Sequence, residues 1–367
     1  MRILVVNAGS SSLKLSVVRD GRTVKETSLG TSLGSGRGRP DKASIASFLD
    51  DAGAIEAVGH RIVHGGAEFT GPTLVGPEVR RRLEALTDLA PLHQPKSLSA
   101  LDAVSDLLPD VPAVACFDTA FHSSIAPAAA TYALPAEWRR RWPLRRFGFH
   151  GLSHAYIARR VPELMNHPPE RLRVVSCHLG AGASVTAIDN GRSVDTTMGF
   201  TPLDGLVMAT RSGSVDPGLV LWLEEHAGIP PAELAASLEH RSGLLGLAGT
   251  ADMREVLEAE AAGERDAALA TGVYLHRLRA AIAAMAASMS GLDALVFTGG
   301  VGEHEAPIRG RAAEGLTFVG IGIDPQLNAD AETDCEITGS GAPVRAFVVR
   351  AREDLQIATE VGQLQLP

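Results

Sequence analysis

The chain contains few residues of the kinds that stabilise secreted domains or bind structural metals. Only three of its 367 residues are cysteines, Cys116, Cys177 and Cys335, and no two of them form a CxxC pair. An odd number of widely spaced cysteines predicts neither a disulfide framework nor a zinc site. We therefore expect the protein to function in the reducing cytoplasm.

Long apolar runs are also absent from the sequence, since no stretch approaches the roughly 20 residues of a transmembrane helix. Residues 2–6 form a short apolar run that leads into a polar turn, without the small-residue cleavage site of a secretory signal. The formal net charge of −9 argues against nucleic acid as the main partner. These features predict a soluble protein with small-molecule ligands, and neither a membrane nor a nucleic acid as its partner.

The length predicts two domains, because single hydrophobic cores stop growing beyond about 250–300 residues. Prolines at 91, 95, 109 and 112 interrupt a region that ends in the strand-like apolar run VPAVACFD, whose last residue is Asp118, and another proline follows at 127. We therefore expect the first domain to end near this point, at residue 121.

Three turns rich in glycine and small polar residues each follow an apolar run. The first is NAGSSSLK at residues 7–14, the second lies within RVVSCHLGAGASVTAI at 173–188, and the third lies within ALVFTGGVGEHEAPIRG at 294–310. The first two separate an apolar strand from an alternating strand, which predicts two β-hairpins and a duplicated fold. A single glycine turn is usually only a turn. Three of them favour a polyphosphate site, because backbone N–H groups there converge on anionic oxygens.

Two further stretches have a clear pattern. Residues 265–290 are amphipathic and rich in Ala, Leu and Met, which predicts a long helix packed on a sheet. The segment Gly30–Lys42 has no periodicity and is rich in Gly, Ser, Arg and Pro, so it is predicted to be a surface loop.

Polar side chains are concentrated beside glycines and aromatics in four motifs, GHRIVHGG, FDTAFH, RRFGFHGLSH and MATRSGSVDPG. A single buried histidine usually only packs, but several such residues together indicate a site. His150 and His154 have the spacing of a metal pair, yet the glycine between them makes a regular helix unlikely, so no zinc site is expected. The residues singled out are Arg61, His64, Asp118, His122, His150, His154, Arg211 and Asp216.

These motifs resemble those of the acetate kinases. NAGSSSLK, GHRIVHGG, FDTAFH, GFHGLSH, MGFTPLDGLVMATRSGSVDPG and FTGGVGE occur in the order and approximate spacing of that family, and they extend over nearly the whole chain. Taken without the resemblance, the residues indicate only a phosphate-binding, two-domain α/β enzyme. The resemblance implies reversible, direct in-line transfer of the γ-phosphoryl group of ATP to acetate, which gives acetyl phosphate and ADP and uses Mg²⁺ or Mn²⁺.

The resemblance also implies a fold and an assembly. It implies α/β architecture with two duplicated domains of the actin-like, ribonuclease H-like kind, each a βββαβαβα unit whose mixed sheet is flanked by helices. The active site is expected in the interdomain cleft. Residues 1–121, completed by 355–367, would form the N-terminal domain. Residues 122–354 would form the C-terminal domain, which binds the nucleotide and forms a homodimer.

Residue roles are carried over from the matching motifs. Arg61 and Arg211 resemble the arginines that hold the substrate carboxylate and the transferring phosphoryl group, for which forked guanidinium donors are suited. His150 resembles the histidine that stabilises the equatorial oxygens, and Asp118 the active-site aspartate. The acetate pocket would contain Arg61, Val63, Leu92, Phe149 and Pro202. The nucleotide would contact Asn7, Ser10, Ser12, Lys14, His178, Gly180, Gly182, Asp252, Arg254, Gly300 and Gly302. The metal would be held by Asn7 and Glu353.

Several departures leave nucleotide affinity and choice open. Ala181 and His304 stand where the family usually has asparagine, residues 351–354 read Ala-Arg-Glu-Asp where Thr-Asn-Glu-Glu is usual, and the region 20–55 is shorter. Propionate kinase is the nearest alternative, and butyrate kinase fits the FDTAFH and GFHGLSH motifs less well. A non-catalytic nucleotide-binding regulator or an ATPase on the same fold are the alternatives of a different class. The presence of Arg61, Arg211 and His150 argues against the regulator.

Overall fold

The computed structural model describes two compact units. Unit 1 comprises Met1–Ser123, Phe149–Tyr156 and Arg352–Pro367, and unit 2 comprises Ser124–Gly148 and Ile157–Ala351. The residues described are 1–9, 12–30, 41–91, 93–332 and 334–366. Most of the loop predicted at Gly30–Lys42 therefore lies outside the described residues. No helix in the described ranges is both long and apolar enough to cross a membrane.

Unit 1 contains a mixed sheet of six strands. The strands are β1 (Arg2–Ala8), β2 (Ser12–Arg19), β3 (Arg22–Gly30), β4 (Ala57–Ile62), β5 (Thr73–Leu74) and β6 (Ala113–Phe117), in the order β3-β2-β1-β4-β6-β5. Strands β1, β4 and β6 are parallel, whereas the pairs β1–β2, β2–β3 and β5–β6 are antiparallel. The hairpin predicted for the first motif is confirmed as β1–β2.

Unit 2 repeats this arrangement strand for strand. Its strands are β7 (Arg173–Leu179), β8 (Ala183–Asp189), β9 (Arg192–Thr196), β10 (Ala294–Thr298), β11 (Cys335–Glu336) and β12 (Arg345–Val348), in the order β11-β12-β10-β7-β8-β9. Strands β7, β10 and β12 are parallel, and β8, β9 and β11 pair antiparallel. The shift in register between β2 and β3, which lies at Val17 and Val18, is repeated between β8 and β9, at Ala187 and Ile188. The duplicated α/β fold is thus confirmed.

Helices cover both sheets. They are α1 (Lys42–Asp50), α2 (Pro77–Ala85), α3 (Gln94–Leu107), α4 (Pro127–Ala130), α5 (Ala136–Arg141), α6 (Gly151–Met165), α7 (Pro217–Glu225), α8 (Pro231–His240), α9 (Gly243–Ala248), α10 (Met253–Ala261), α11 (Arg265–Ser288), α12 (Gly299–His304), α13 (Ala306–Glu314), α14 (Pro325–Ala329) and α15 (Glu353–Gly362). The long helix predicted at residues 265–290 is confirmed as α11, which contacts β7 and β8 through a buried face that includes Tyr274 and Ile282.

One prediction about local structure is wrong. The glycine in GFHGLSH was expected to prevent a regular helix, but α6 begins at that residue, Gly151. At the first position of a helix, glycine interrupts no preceding helical turn. A residue without a side chain is also needed at this position, because a Cβ atom there would lie 2.1 Å from the carbonyl oxygen of Asp118.

The last helix packs directly on the unit 1 sheet. Buried Ile357 and Val361 of α15 belong to one cluster with Ile3 and Val5 of β1. A Cβ atom at Gly59 in β4 would lie 2.4 Å from Cγ2 of Ile357, so glycine is needed for this close approach. As a result, the first residue of α15, Glu353, lies near the carboxyl ends of the central strands.

Candidate active site

The first half of the candidate site lies at the carboxyl ends of the parallel strands of unit 1. Asn7 is in β1, Arg61 is in β4 and Asp118 follows β6. The strand pairing places Val6 beside His60 and Arg61 beside Cys116, so these strands end at the same edge of the sheet. Sheet register therefore brings together three polar residues from distant motifs.

Four of the predicted residues form one hydrogen-bonded chain. Arg61 donates from Nε to both Asp118 oxygens at 3.1 Å and from Nη2 to Asp118 Oδ2 at 2.6 Å. Its Nη1 donates to Asn7 Oδ1 at 3.0 Å, and Asn7 Nδ2 donates to Glu353 Oε2 at 2.7 Å. The structure thus links the residues predicted to hold substrate, nucleotide and metal in unit 1.

Burial strengthens the electrostatic interactions within this chain of side chains. The Asp118 side chain is 2% exposed, and those of Arg61 and Glu353 are 16% and 15% exposed. Burial alone would lower the pKa of Arg61, but the nearby charges of Asp118 and Glu353 outweigh it, and the pKa lies above its ordinary value. Arg61 therefore remains a cation, and both oxygens of Asp118 are used to orient it.

A short turn holds His150 beside this chain. The N–H of Gly151 donates to the carbonyl oxygen of Asp118 at 2.8 Å, which ties the start of α6 to the end of β6. His150 itself has the left-handed φ angle of 56°, uncommon for a residue other than glycine. The Phe149 carbonyl lies 3.0 Å from Nε2 of His122, so the turn is fixed on both sides.

The histidines of the polar motifs do not share one role. His64, His122 and His154 are buried, whereas His150 is partly exposed. Burial lowers the pKa of both His64 and His122 to about 4, so both are neutral at physiological pH. His64 packs edge-on against the Phe149 ring, with centroids 5.5 Å apart. His150 is therefore the histidine of this group that a solute can reach.

The residues predicted for the acetate pocket do not all belong to one unit. Val63 and Phe149 belong to unit 1, where both are buried. Pro202 belongs to unit 2 and is partly exposed. Leu92 lies outside the described residues, as does Ser10 of the first glycine turn.

The other members of the first turn have ordinary surroundings. The Ser12 carbonyl accepts a hydrogen bond from the N–H of Gly9 at 2.8 Å, which closes the turn. Lys14 is opposite Asn7 in the β1–β2 pairing, but its side chain is 57% exposed and its Nζ lies 4.0 Å from Glu26. This position is that of a solvated strand residue, and no anion site at Lys14 follows from the contacts of the described residues.

Unit 2 brings the second and third glycine turns together. Strands β7 and β10 are parallel, with His178 opposite Thr298, so the turns that follow them start side by side. A Cβ atom at Gly180 would lie 3.8 Å from the N–H nitrogen of Gly300 and 3.5 Å from the carbonyl oxygen of Gly182. The backbones of the two segments thus approach each other closely, and the N–H of Gly180 is bonded within its own turn, to the carbonyl of Gly182 at 3.0 Å.

The third turn is fixed by two residues that were not among the predicted site residues. Glu303 Oε1 accepts hydrogen bonds from the N–H groups of Gly299 at 3.0 Å and Ala351 at 2.9 Å. Arg309, 1% exposed, donates from Nη1 to the carbonyls of Gly302 at 3.0 Å and Glu303 at 2.9 Å. The glutamate of FTGGVGE was visible as part of a motif, whereas nothing local distinguishes the buried arginine from a surface one.

Arg211 also has a carboxylate partner that the sequence did not reveal. Its Nε lies 2.5 Å from Oε1 of Glu239, at the end of α8, and the two side chains are 16% and 13% exposed. The partner is 28 residues away and belongs to no glycine-rich motif. Of the residues predicted to contact the nucleotide, Asp252 caps α10 by accepting from the N–H of Arg254 at 2.9 Å, and both residues are exposed.

No group of three His, Cys, Asp or Glu side chains able to hold a metal ion is found within the described ranges. Beside Asn7 lies the carboxylate of Glu353, which accepts a hydrogen bond from Asn7 Nδ2 at 2.7 Å. Such a site fits a hard cation that is bound mainly by phosphates and water, as Mg²⁺ commonly is. It does not fit a metal held by protein ligands alone.

Comparisons with known proteins identify the family of the chain. The model of the Acetokinase family matches residues 41–359. An acetate kinase from Synechococcus sp. (strain JA-2-3B'a(2-13)) is 46% identical, covering 99% of each chain, and one from Leifsonia xyli subsp. xyli is 43% identical, covering 98% of each. Crystal structures of Porphyromonas gingivalis acetate kinase and of a propionate kinase from Francisella tularensis superpose with a TM-score of 0.88, at 33% and 34% identity and with 98% of each chain covered. The chain belongs to the acetokinase family.

Proposed function

We propose that this protein is an acetate kinase, which transfers the γ-phosphoryl group of ATP reversibly to acetate. The observation that carries the proposal is the chain of Asn7, Arg61, Asp118 and Glu353, which holds a buried guanidinium in one orientation. Relatives that match nearly the full length are named acetate kinases, which supports acetate as the acceptor.

The reaction needs little covalent chemistry from the protein. Acetate is a carboxylate at neutral pH, so one of its oxygens can attack the γ-phosphorus without a general base, while the bond to the bridging oxygen of ADP breaks. Arg61 and Arg211 would hold the acetate and the phosphoryl oxygens, and His150 would donate to the equatorial oxygens. Alignment and charge neutralisation then account for the catalysis.

Mg²⁺ fits the residues at the end of β1. Asn7 and Glu353 lie side by side there, joined by the hydrogen bond from Asn7 Nδ2 to Glu353 Oε2 at 2.7 Å, so we assign the ion to these two residues and to the phosphates. Asn7 would then orient Glu353 through its Nδ2. When bound, the ion neutralises charge on the phosphates.

We also propose that unit 2 carries the nucleotide site and the contact of a cytoplasmic homodimer. The paired turns at Gly180 and Gly300 support the nucleotide site. Helix α7 supports the dimer, because none of its residues is buried, and Leu221 and Trp222 are 56% and 53% exposed. The domain limits proposed remain 1–121 with 355–367, and 122–354, and the compact units differ from them in that unit 1 also includes residues 122–123, Phe149–Tyr156 and 352–354. Exchange of Leu221 for Glu should convert a dimer to a monomer in sedimentation, and a wild-type monomer would contradict the proposal.

A propionate kinase is the second candidate, since one superposes on this chain as well as an acetate kinase does. The experiment is acyl phosphate formation from ATP with acetate, propionate and butyrate, trapped as the hydroxamate. We expect the highest kcat/KM with acetate, a lower value with propionate and the lowest with butyrate. A preference for propionate would establish the second candidate. ATP hydrolysis without acyl phosphate would exclude both.

A further inference from the structure

The ion pair between Arg211 and Glu239 joins the loop that carries Arg211 to the end of α8. We propose that Glu239 is a positioning residue, which fixes the orientation of the Arg211 guanidinium for phosphoryl transfer. The inference rests on the proposed function, because it assigns a partner to a residue that the proposal places against the substrate. It adds a residue that lies outside every motif of the sequence.

The backbone around Arg211 is held without the Glu239 side chain. The N–H of Ser212 donates to the carbonyl of Leu238 at 3.0 Å, and the N–H of Ser242 donates to the carbonyl of Thr210 at 2.9 Å. The Thr210 hydroxyl also donates to the backbone carbonyl of Glu239 at 2.9 Å. These bonds dock the loop on the end of α8. The carboxylate therefore contributes to the position of the guanidinium and little to the path of the chain.

The position of the bond explains what the carboxylate does. It accepts from Nε at 2.5 Å, and Nη1 lies 3.9 Å from the sulfur of Met208. The bond at Nε, together with the hydrogen bond from Nη1 to the Met208 sulfur, restricts the rotation of the guanidinium plane, so that the terminal nitrogens take one position. In unit 1 the Nε of Arg61 is likewise bonded to a carboxylate, that of Asp118. Both proposed catalytic arginines thus bond a carboxylate through Nε, and Arg61 bonds Asp118 through Nη2 as well.

Removal of the anchor should affect turnover more than binding. In Glu239→Ala the guanidinium keeps its charge but loses its fixed orientation, and misplacement of a catalytic group by about 1 Å can cost roughly 100-fold in rate. We expect kcat to fall about 10- to 100-fold, while KM for acetate and for ATP changes less than about threefold. Glu239→Gln keeps an acceptor of the same shape, and its kcat should lie between those of Glu239→Ala and the wild type.

The matched control is Glu233→Ala, in the same helix. Glu233 pairs with Arg241 at 3.5 Å, and both side chains are more than half exposed. This variant should keep wild-type kcat and KM. Thermal unfolding of every variant shows whether the protein is folded, and the Gln variant provides the test if the Ala variant is not.

A double-mutant cycle separates positioning from a structural role. If Glu239 acts through Arg211, then adding Glu239→Gln to Arg211→Ala should lower kcat no further. An equal loss in both backgrounds, or wild-type kcat in folded Glu239→Gln and Glu239→Ala, overturns the inference. Wild-type activity of Arg211→Ala would instead refute the proposed role of Arg211 itself. The two failures are therefore distinguishable.

Discussion

The two units share one sheet topology but present different chemistry at the ends of equivalent strands. By register, Asn7 and Arg61 of unit 1 occupy the positions that His178 and Thr298 occupy in unit 2. Unit 1 carries long polar side chains there, and they bond to one another. Unit 2 continues there into glycine-rich backbone, the turn after β7 and the start of α12.

This difference shows how a duplicated fold divides the work of a kinase. The parallel central strands determine where a site can lie, because their carboxyl ends meet at one edge of each sheet. The residue types at that edge determine what is bound. A guanidinium held by Asp118 suits a small carboxylate or a phosphoryl group, whereas turns such as Gly299–Gly302 suit a chain of phosphates.

The largest effect should come from removing the cation of unit 1. Arg61→Ala deletes a donor to the transferring group and leaves the buried Asp118 carboxylate without its counter-ion. Loss of one transition-state donor costs about 100- to 1,000-fold in kcat. A broken buried pair costs about 3–5 kcal/mol of unfolding free energy. Steady-state kinetics and urea unfolding measure the two losses.

The control for this prediction is Arg80→Ala, which breaks the pair of Arg80 with Asp102, whose side chain is 49% exposed. Its unfolding free energy should change by about 1 kcal/mol or less. If Arg61→Ala were as active and as stable as the control, the side-chain site of unit 1 would be refuted.

Acid should destabilise the protein through buried histidines that unit 1 contains. Burial lowers the pKa of His60 to about 3, and no described residue accepts from or donates to its ring nitrogens. Between the unfolded value near 6.5 and the folded value, the unfolded chain binds more protons, so stability falls as the pH falls through this range. Each such histidine contributes about 1.4 kcal/mol per pH unit.

His60→Phe replaces the titrating imidazole by an aromatic ring that binds no proton. Between pH 6.5 and 5 it should lose about 2 kcal/mol less unfolding free energy than the wild type does. Parallel curves for the two proteins would show that His60 does not titrate as its burial requires.

The backbone site of unit 2 can be tested by adding one methyl group. Gly300 is exposed, and a Cβ atom there would meet no protein atom within 4 Å, so Gly300→Ala should fold normally. If phosphates occupy that space, KM for ATP should rise by about tenfold, which is the cost of roughly one lost hydrogen bond. KM for acetate should not change.

Gly272→Ala provides the comparison, since Gly272 is exposed in α11 and equally open. It should leave both KM values unchanged. An unaltered KM for ATP in Gly300→Ala would mean that the third turn does not contact the nucleotide.

The smallest effect should be a change in acceptor size. Val63 is 7% exposed and belongs to the proposed acetate pocket. Val63→Ala should make room for about one methylene, whose burial is worth about 0.8 kcal/mol, and so raise the propionate-to-acetate ratio of kcat/KM a few-fold. A ratio equal to that of the wild type would indicate that Val63 only packs in the core of unit 1.

Some residues of the site could be read from local sequence and others could not. Arg61, His150 and Arg211 belong to motifs that stand out because glycines and aromatics surround them. Glu239 and Arg309 gave no local signal, because an ordinary helical glutamate or arginine has the same neighbours in sequence. Asp252 was visible, yet its contacts show a helix cap, which the sequence pattern did not distinguish from a nucleotide contact.

The sequence by itself determined the elements that depend on near neighbours. The apolar run before NAGSSSLK predicts β1 and its hairpin, the periodicity of residues 265–290 predicts α11, and the similarity of the two hairpins predicts the duplication. These features follow from side-chain spacing and turn chemistry, which act over a few residues.

Only the tertiary structure decided which distant side chains meet. Asn7 bonds to Glu353, 346 residues away, because β1 is central in the sheet and α15 packs back across it. Arg61 meets Asp118 because β4 and β6 are adjacent and in register. Such pairs depend on strand order and on helix packing over the whole unit, so no short stretch of sequence contains the physical reason for them.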